Sequence, residues 1–226
     1  MPLTLYLHPL ASFCHKVLIA LYENDVPFEP VIVDFSDARS AAAIVERWPA
    51  AKVPVLHDTA GNRTIPETSI IIEYLQEHYP GQRPLLPVDA ESRLDARLWD
   101  RFFDLYVSVP MQKIVTDRLR PENERDRLGV AEAHKTLDVS YRMLETQLAG
   151  KTWAIRTDFS IADCAAAPGL FFASIVHPFE NRHRNLKGYF ERLLERASFR
   201  RALDEARPYF AMFPYRDAMP DRFLAA

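Results

Sequence analysis

Residues 3–33 read LTLYLHPLASFCHKVLIALYENDVPFEPVIV, and this stretch decides the fold of the first third of the chain. Leu3 to Leu7 is an apolar run of strand length. A polar connection follows, and Val17, Leu18, Leu21 and Tyr22 then recur at helical spacing up to Asn24. Glu29 to Val33 forms a second short strand with Pro30 near its start. Strand, helix and strand in this order imply a parallel pair, because the helix carries the chain back before the second strand begins.

Outward from this unit, Ala38 to Trp48 reads as a weaker helix stopped by Pro49. Val53 to His57 and Arg63 to Ile65 flank the polar turn 58–62 and predict an antiparallel hairpin, with a helix over Glu67 to Tyr79 directly after it. A small mixed sheet with helices on both faces accommodates βαβ then ββα in about 80 residues. That is the element order of a thioredoxin-like α/β domain. Pro80-Gly81-Gln82-Arg83-Pro84-Leu85-Leu86-Pro87 then denies backbone donors to helix and ladder alike and reads as a linker. Beyond it helical spacing dominates, as in Leu94, Leu98, Phe102, Leu105 and Val109. Further helices are expected over Arg125 to Leu148, Ser160 to Val176, Lys187 to Ala197 and around Phe199 to Ala206. The predicted fold is a thioredoxin-like domain over 1–80, a linker over 81–90 and an all-α domain over 91–226. The first 80 residues hold 5 Lys/Arg against 10 Asp/Glu, whereas the remainder is nearly balanced, which supports a boundary there.

Composition narrows the function. At 48% hydrophobic and 26% charged residues, the 226-residue chain is that of a packed globular protein. A net charge of -3 lacks the broad basic footprint of a nucleic-acid binder. Cys14 and Cys164 are too few for a disulfide scaffold and suit a reducing compartment. The N-terminus shows no charged n-region or cleavage site, and the longest apolar stretch, Cys164 to Val176, is interrupted by Pro168 and Gly169. The expectation is a cytoplasmic protein without membrane or nucleic-acid partners. Six scattered glycines form no phosphate loop, and no His, Cys, Asp or Glu group has metal-ligand spacing, which argues against nucleotide and zinc chemistry.

Three places concentrate chemistry. His8 to Val17 brings a hydroxyl, a thiol and two imidazoles to a helix N-terminus, where free N–H groups and the macrodipole favour an anion such as a bound thiolate. Ser12 is equally suited to capping that helix, and Cys14 to filling the core. Val53-Pro54-Val55 implies either an edge strand or a cis bond, and the cis form would turn the Val53 backbone toward an extended peptide. Pro66-Glu67-Thr68-Ser69 opens an apolar helix, where N–H groups and a hydroxyl can hold a carboxylate and Glu67 an ammonium; the same residues also make an ordinary first turn. Phe159-Ser160-Ile161-Ala162-Asp163 reads as a structural capping box. Phe102, Phe103, Tyr106, Val109 and Met111 form an apolar surface, mostly core, that Pro110 is expected to kink.

Taken together, Ser12 to Val17, Lys52 to Leu56, Glu67-Thr68 with Tyr74-Leu75, Phe159 to Asp163 and Asn185 to Leu193 resemble the cytosolic glutathione transferase superfamily, bacterial type, over nearly the whole chain. The resemblance implies glutathione as co-substrate, a hydrophobic electrophile as second substrate, and a homodimer. Lys52 is then expected at a glutathione carboxylate, Val53 on the cysteinyl backbone beside a cis Pro54, and Glu67 with Thr68 at the γ-glutamyl end. Phe102, Phe103 and Tyr106 are expected against the electrophile. The family's catalytic Ser or Cys falls on Ala11, which has no donor, and Ser12 is the nearest hydroxyl. Ser12 is the expected thiolate donor; helix amides, or a glutathione binder or glutathione-dependent isomerase in place of a transferase, are the alternatives.

Overall fold

The computed structural model describes residues 2–224. β1 (Leu3–Leu7) buries Leu3, Leu5 and Leu7, the alternation expected of a strand with one face in the core. α1 (Ser12–Glu23) follows, then β2 (Glu29–Ile32) and α2 (Ala38–Arg47), whose Asp37 cap accepts from the Ser40 N–H at 2.8 Å. β3 (Val55–Asp58), β4 (Arg63–Pro66) and α3 (Thr68–His78) complete the unit. The sheet order is β2-β1-β3-β4, with β1 parallel to β2 and antiparallel to β3, and β3 antiparallel to β4. This is the thioredoxin-like topology expected from the element order. The third strand starts two residues later than expected, because the Val53–Pro54 peptide is cis and keeps both residues off the ladder.

The stretch 79–89 connects α3 to an all-helical region: α4 (Ala90–Phe102), a π-helical segment (Phe103–Ser108), α5 (Val109–Asp117), α6 (Arg127–Gln147), α7 (Ile161–Val176), α8 (Arg184–Glu195), α9 (Ala197–Ala206) and α10 (Asp221–Leu224). α7 is buried almost all round and is the axis of this region. Gly169 allows its approach to the π segment, since a Cβ there would sit 2.8 Å from Ser108 Oγ. The expected disturbance at Pro110 takes the form of that π segment. Pro110 has no N–H for the Tyr106 carbonyl, and the Ser140 hydroxyl donates to it instead at 2.8 Å. Ser160 and Asp163 form the capping box, and the Asp163 carboxylate also accepts from Ala154 N–H (2.8 Å) and Tyr189 OH (2.7 Å).

One continuous core runs through both regions, with α1 packed on α7 and α9. Glu23, at the end of α1, receives a two-pronged contact from Arg196 (2.8 and 2.5 Å) and the Ser198 hydroxyl. The first helix is therefore held from both sides, which fixes the position of its N-terminus relative to the helical region.

Candidate functional site

The N-terminus of α1 is set by its loop. Ala11 N–H donates to the His8 carbonyl (3.0 Å), and the Ala11 carbonyl accepts from Cys14 and His15 N–H (2.9 and 3.2 Å). The His15 ring bonds the Pro9 carbonyl at 2.6 Å through Nε2. The helix consequently begins one residue earlier than a Ser12 cap would require: Ala11 is the cap and contributes no side-chain hydrogen bond. The N–H groups of Ser12 and Phe13 have no partner among the described residues. Ser12, in the first helical position, is 3% exposed and its Oγ is buried without a partner. The hydroxyl of Ser12, the expected thiolate donor, lies inside the fold, and the donors left open at the helix end are backbone N–H groups. Cys14 is fully buried, and burial pushes its thiol up to about 12 despite the His8 N–H it accepts at 3.4 Å. It is a core residue.

A cleft of about 250 Å³ lies between the two regions. Its first wall brings together Lys52, Val53 and Pro54 with Glu67 and Thr68, two short runs on either side of the β3–β4 hairpin that the resemblance placed in one site. Val53 lies outside the ladder, and its N–H and C=O have no partner among the described residues. Glu67 has φ 67° and ψ 116°, a conformation costly for a residue with a Cβ and one typical of binding sites. It leaves the Glu67 carboxylate exposed at the mouth while Thr68, 7% exposed, starts α3 behind it. Phe13 and Trp48 also line this wall, though neither stood out in the sequence.

The opposite wall is Arg101, Asp104, Leu105, Val109 and Gln112. Phe102, Phe103 and Tyr106, the residues expected here, are elsewhere. Phe102 packs on Trp99 and Tyr106 (centroids 4.9 and 5.4 Å), Phe103 is fully buried on Tyr189 (6.5 Å), and Tyr106 is exposed away from the cleft. The physical reason is the helical stripe: Arg101, Leu105, Val109 and Gln112 recur at intervals of four, four and three residues and face the cleft together, and Phe102, Phe103 and Tyr106 fall on the neighbouring faces. The signal that could have found the true face is the pair Arg101 and Asp104, charges interrupting an otherwise apolar run.

Behind the cleft, Lys16 of α1 is 1% exposed and reaches three acceptors: Asp100 Oδ1 (2.6 Å), Asp104 Oδ2 (2.8 Å) and Ser69 Oγ (3.0 Å). Ser69 donates in turn to Asp100 Oδ2 at 2.6 Å. The buried ammonium thus donates hydrogen bonds to Asp104 and Ser69 and pairs by charge with Asp100 Oδ1, which accepts no hydrogen bond. Burial holds the Asp104 carboxyl above its usual range even though Lys16 pulls it down, with Asp100 adding to the upward push. One cluster therefore braces α1, the first turn of α3, and the π segment that carries the second wall.

A thioredoxin-like domain joined to a helical domain, with a cis-proline and an acidic helix start facing an open α1 N-terminus, defines the class of two-domain thiol-peptide-binding folds. Residues 5–83 match the family "Glutathione S-transferase, N-terminal domain" and residues 105–197 match "Glutathione S-transferase, C-terminal domain". The chain belongs to the cytosolic glutathione S-transferase superfamily. It is 26% identical over 191 residues to glutathione S-transferase GstB of Escherichia coli, covering 83% of this chain and 91% of that one. It is 30% identical over 210 residues to the stringent starvation protein A homolog of Coxiella burnetii, covering 90% and 92%. Among solved structures it resembles a glutathione S-transferase of Methylobacterium radiotolerans in complex with glutathione sulfonate, with TM-score 0.76, 26% identity, and 88% and 93% coverage. A glutathione S-transferase of Methylobacillus flagellatus with glutathione bound shares the fold at TM-score 0.80 and 22% identity, covering 88% and 98%. No helix among the described residues is long and apolar enough to cross a membrane.

Proposed function

We propose that the protein binds glutathione in the 250 Å³ cleft and stabilises its thiolate for attack on a hydrophobic electrophile. The observation that carries this reading is the convergence on one cleft of the Val53 backbone beside a cis proline with Glu67 and Thr68, below the open α1 N-terminus. The residues fit the tripeptide. The free N–H and C=O of Val53 match its cysteinyl backbone, as a short added strand would. The N–H and hydroxyl of Thr68 suit the γ-glutamyl carboxylate, Glu67 its ammonium, and Lys52 the glycine carboxylate. The sulfur is received by the N–H groups of Ser12 and Phe13 and the positive end of α1, so that stabilisation comes from backbone dipoles. Phe13, Leu105 and Val109 offer the apolar surface for the electrophile, with Leu105 and Val109 about half exposed.

A second reading has a specific observation behind it. Ala11 carries no donor and the Ser12 hydroxyl is buried, an arrangement that also suits a glutathione binder with little turnover. Calorimetry with glutathione, a thiolate-absorbance titration of the complex, and rates against aryl halides, epoxides and isothiocyanates separate the two. Binding with a lowered thiol pKa and turnover above buffer supports the transferase; binding with an ordinary thiol pKa selects the binder; no binding removes both. A homodimer through the α3–α4 face is part of the proposal, since Ile70, Leu94 and Leu98 are 54%, 64% and 59% exposed around the Glu73–Arg97 pair. Light scattering on a size-exclusion column tests it, and a monomer at micromolar concentration overturns it.

A further inference from the structure

Arg101 is the one strongly basic side chain that the helical region contributes to the cleft, and it shares the lining with Glu67 and Thr68. Its guanidinium is tethered at one point: Nη1 donates to Asp104 Oδ2 at 3.1 Å, and no other bond from Arg101 occurs among the described residues. The remaining N–H donors of its planar fork are uncommitted. Asp104 is itself fixed, since Lys16 holds the same Oδ2 at 2.8 Å and also holds Ser69 Oγ at 3.0 Å. Ser69 directly follows Thr68. A chain of hydrogen bonds from Arg101 through Asp104 and Lys16 to Ser69 thus ties the guanidinium to the turn that starts α3. Such an anchor lowers the entropy lost when the fork closes on a ligand.

We infer that Arg101 clamps the α-carboxylate of the γ-glutamyl residue, closing the cleft over glutathione from the helical side. The inference rests on the glutathione reading above and adds a residue to it. The charges balance: Glu67 faces the ammonium of the same residue, Thr68 supplies N–H and hydroxyl to the carboxylate from below, and Arg101 supplies a cation from across the cleft.

The test uses the whole protein in three forms, wild type, Arg101→Gln and Arg101→Lys, and three ligands in calorimetry. These are glutathione, γ-glutamylcysteine, and 4-aminobutyryl-cysteinylglycine, which lacks only the α-carboxylate. Arg101 is 51% exposed in its side chain, so the substitutions should leave the melting temperature unchanged, which is checked first. The expected result is that Arg101→Gln weakens glutathione and γ-glutamylcysteine alike by about 5- to 20-fold, after allowing for the exposure of the arginine. The aminobutyryl ligand should bind wild type and variant equally, and Arg101→Lys should recover part of the loss. Equal glutathione affinity in wild type and Arg101→Gln overturns the inference, as does an equal loss for all three ligands. Those outcomes leave glutathione bound to the wild type. Absence of that binding overturns the glutathione reading as well, so the two failures are distinguishable.

Discussion

Replacing Lys16 by Met keeps most of the side-chain volume and removes the ammonium from a site where Lys16, Asp100 and Asp104 have side chains 1%, 2% and 4% exposed. Two carboxylates then lose their cation with little water to replace it, and Ser69 loses a donor. Breaking a buried ion pair by removing one partner costs about 3–5 kcal/mol. With a urea slope of about 2.5 kcal/mol/M, the unfolding midpoint should fall by about 1.2–2 M. The assay is equilibrium unfolding followed by tryptophan fluorescence, read with and without Asp100→Asn and Asp104→Asn added. Because those changes remove the stranded charges, the triple variant should recover a substantial part of the loss. The pH dependence has a definite sign. Burial already raises the Asp104 carboxyl in the folded protein, so its favourable contribution is present below the unfolded value of 3.8 and is lost as pH rises through the folded value. Removing Lys16 raises that folded value further, and the gap between wild type and variant should narrow on acidification from neutral pH. A loss below about 1 kcal/mol, or a gap that does not change with pH, would refute the account of this cluster as a buried ion network.

Three other predictions follow from single observations. Ser12→Ala removes a buried hydroxyl with no partner, so stability should stay level or rise by about 1 kcal/mol and the thiol pKa of bound glutathione should not move; a raised thiol pKa in the titration would restore Ser12 as the donor. Glu67→Gly relaxes a positive-φ residue while deleting a ligand contact, and should stabilise the free protein by about 1 kcal/mol while weakening glutathione at least about tenfold. Calorimetry and thermal melts check this pair of opposite effects, and a destabilised variant would contradict the strain assigned to Glu67. His134 Nδ1 lies 3.0 Å from His177 Nδ1, and burial, then His177, lowers its pKa from 6.5 although Asp138 opposes them. The unfolded chain therefore binds the proton first, and stability should fall as pH drops below 6.5 toward the folded value. In His134→Phe that part of the slope should vanish; melts across the range test it, and an unchanged slope assigns the effect to other groups.

The order of elements in the first domain was readable because each depends on local periodicity and on punctuation by proline, glycine and asparagine. The grouping of Lys52, Val53, Pro54, Glu67 and Thr68 came from the family resemblance; the local motifs by themselves, a proline at a strand entry and an acidic residue at a helix start, left an edge strand and an ordinary first turn equally open. What tertiary structure decided lies where one element meets another. Whether Ser12 or Ala11 ends the loop depends on bonds from Ala11 and His15 back into residues 8 and 9, which shift the helix start by one residue and turn a hydroxyl inward. Which stripe of this helix faces the cleft depends on how α4 and the π segment pack on α7, where Gly169 permits the close approach, so Arg101, Asp104 and Leu105 line the second wall in place of Phe102, Phe103 and Tyr106. Lys16, the most consequential charge, looks in sequence like any exposed residue of a helix. Only the juxtaposition of Asp100, Asp104 and Ser69 makes its burial tolerable, because a charge can leave water only when its partners arrive from elsewhere in the fold.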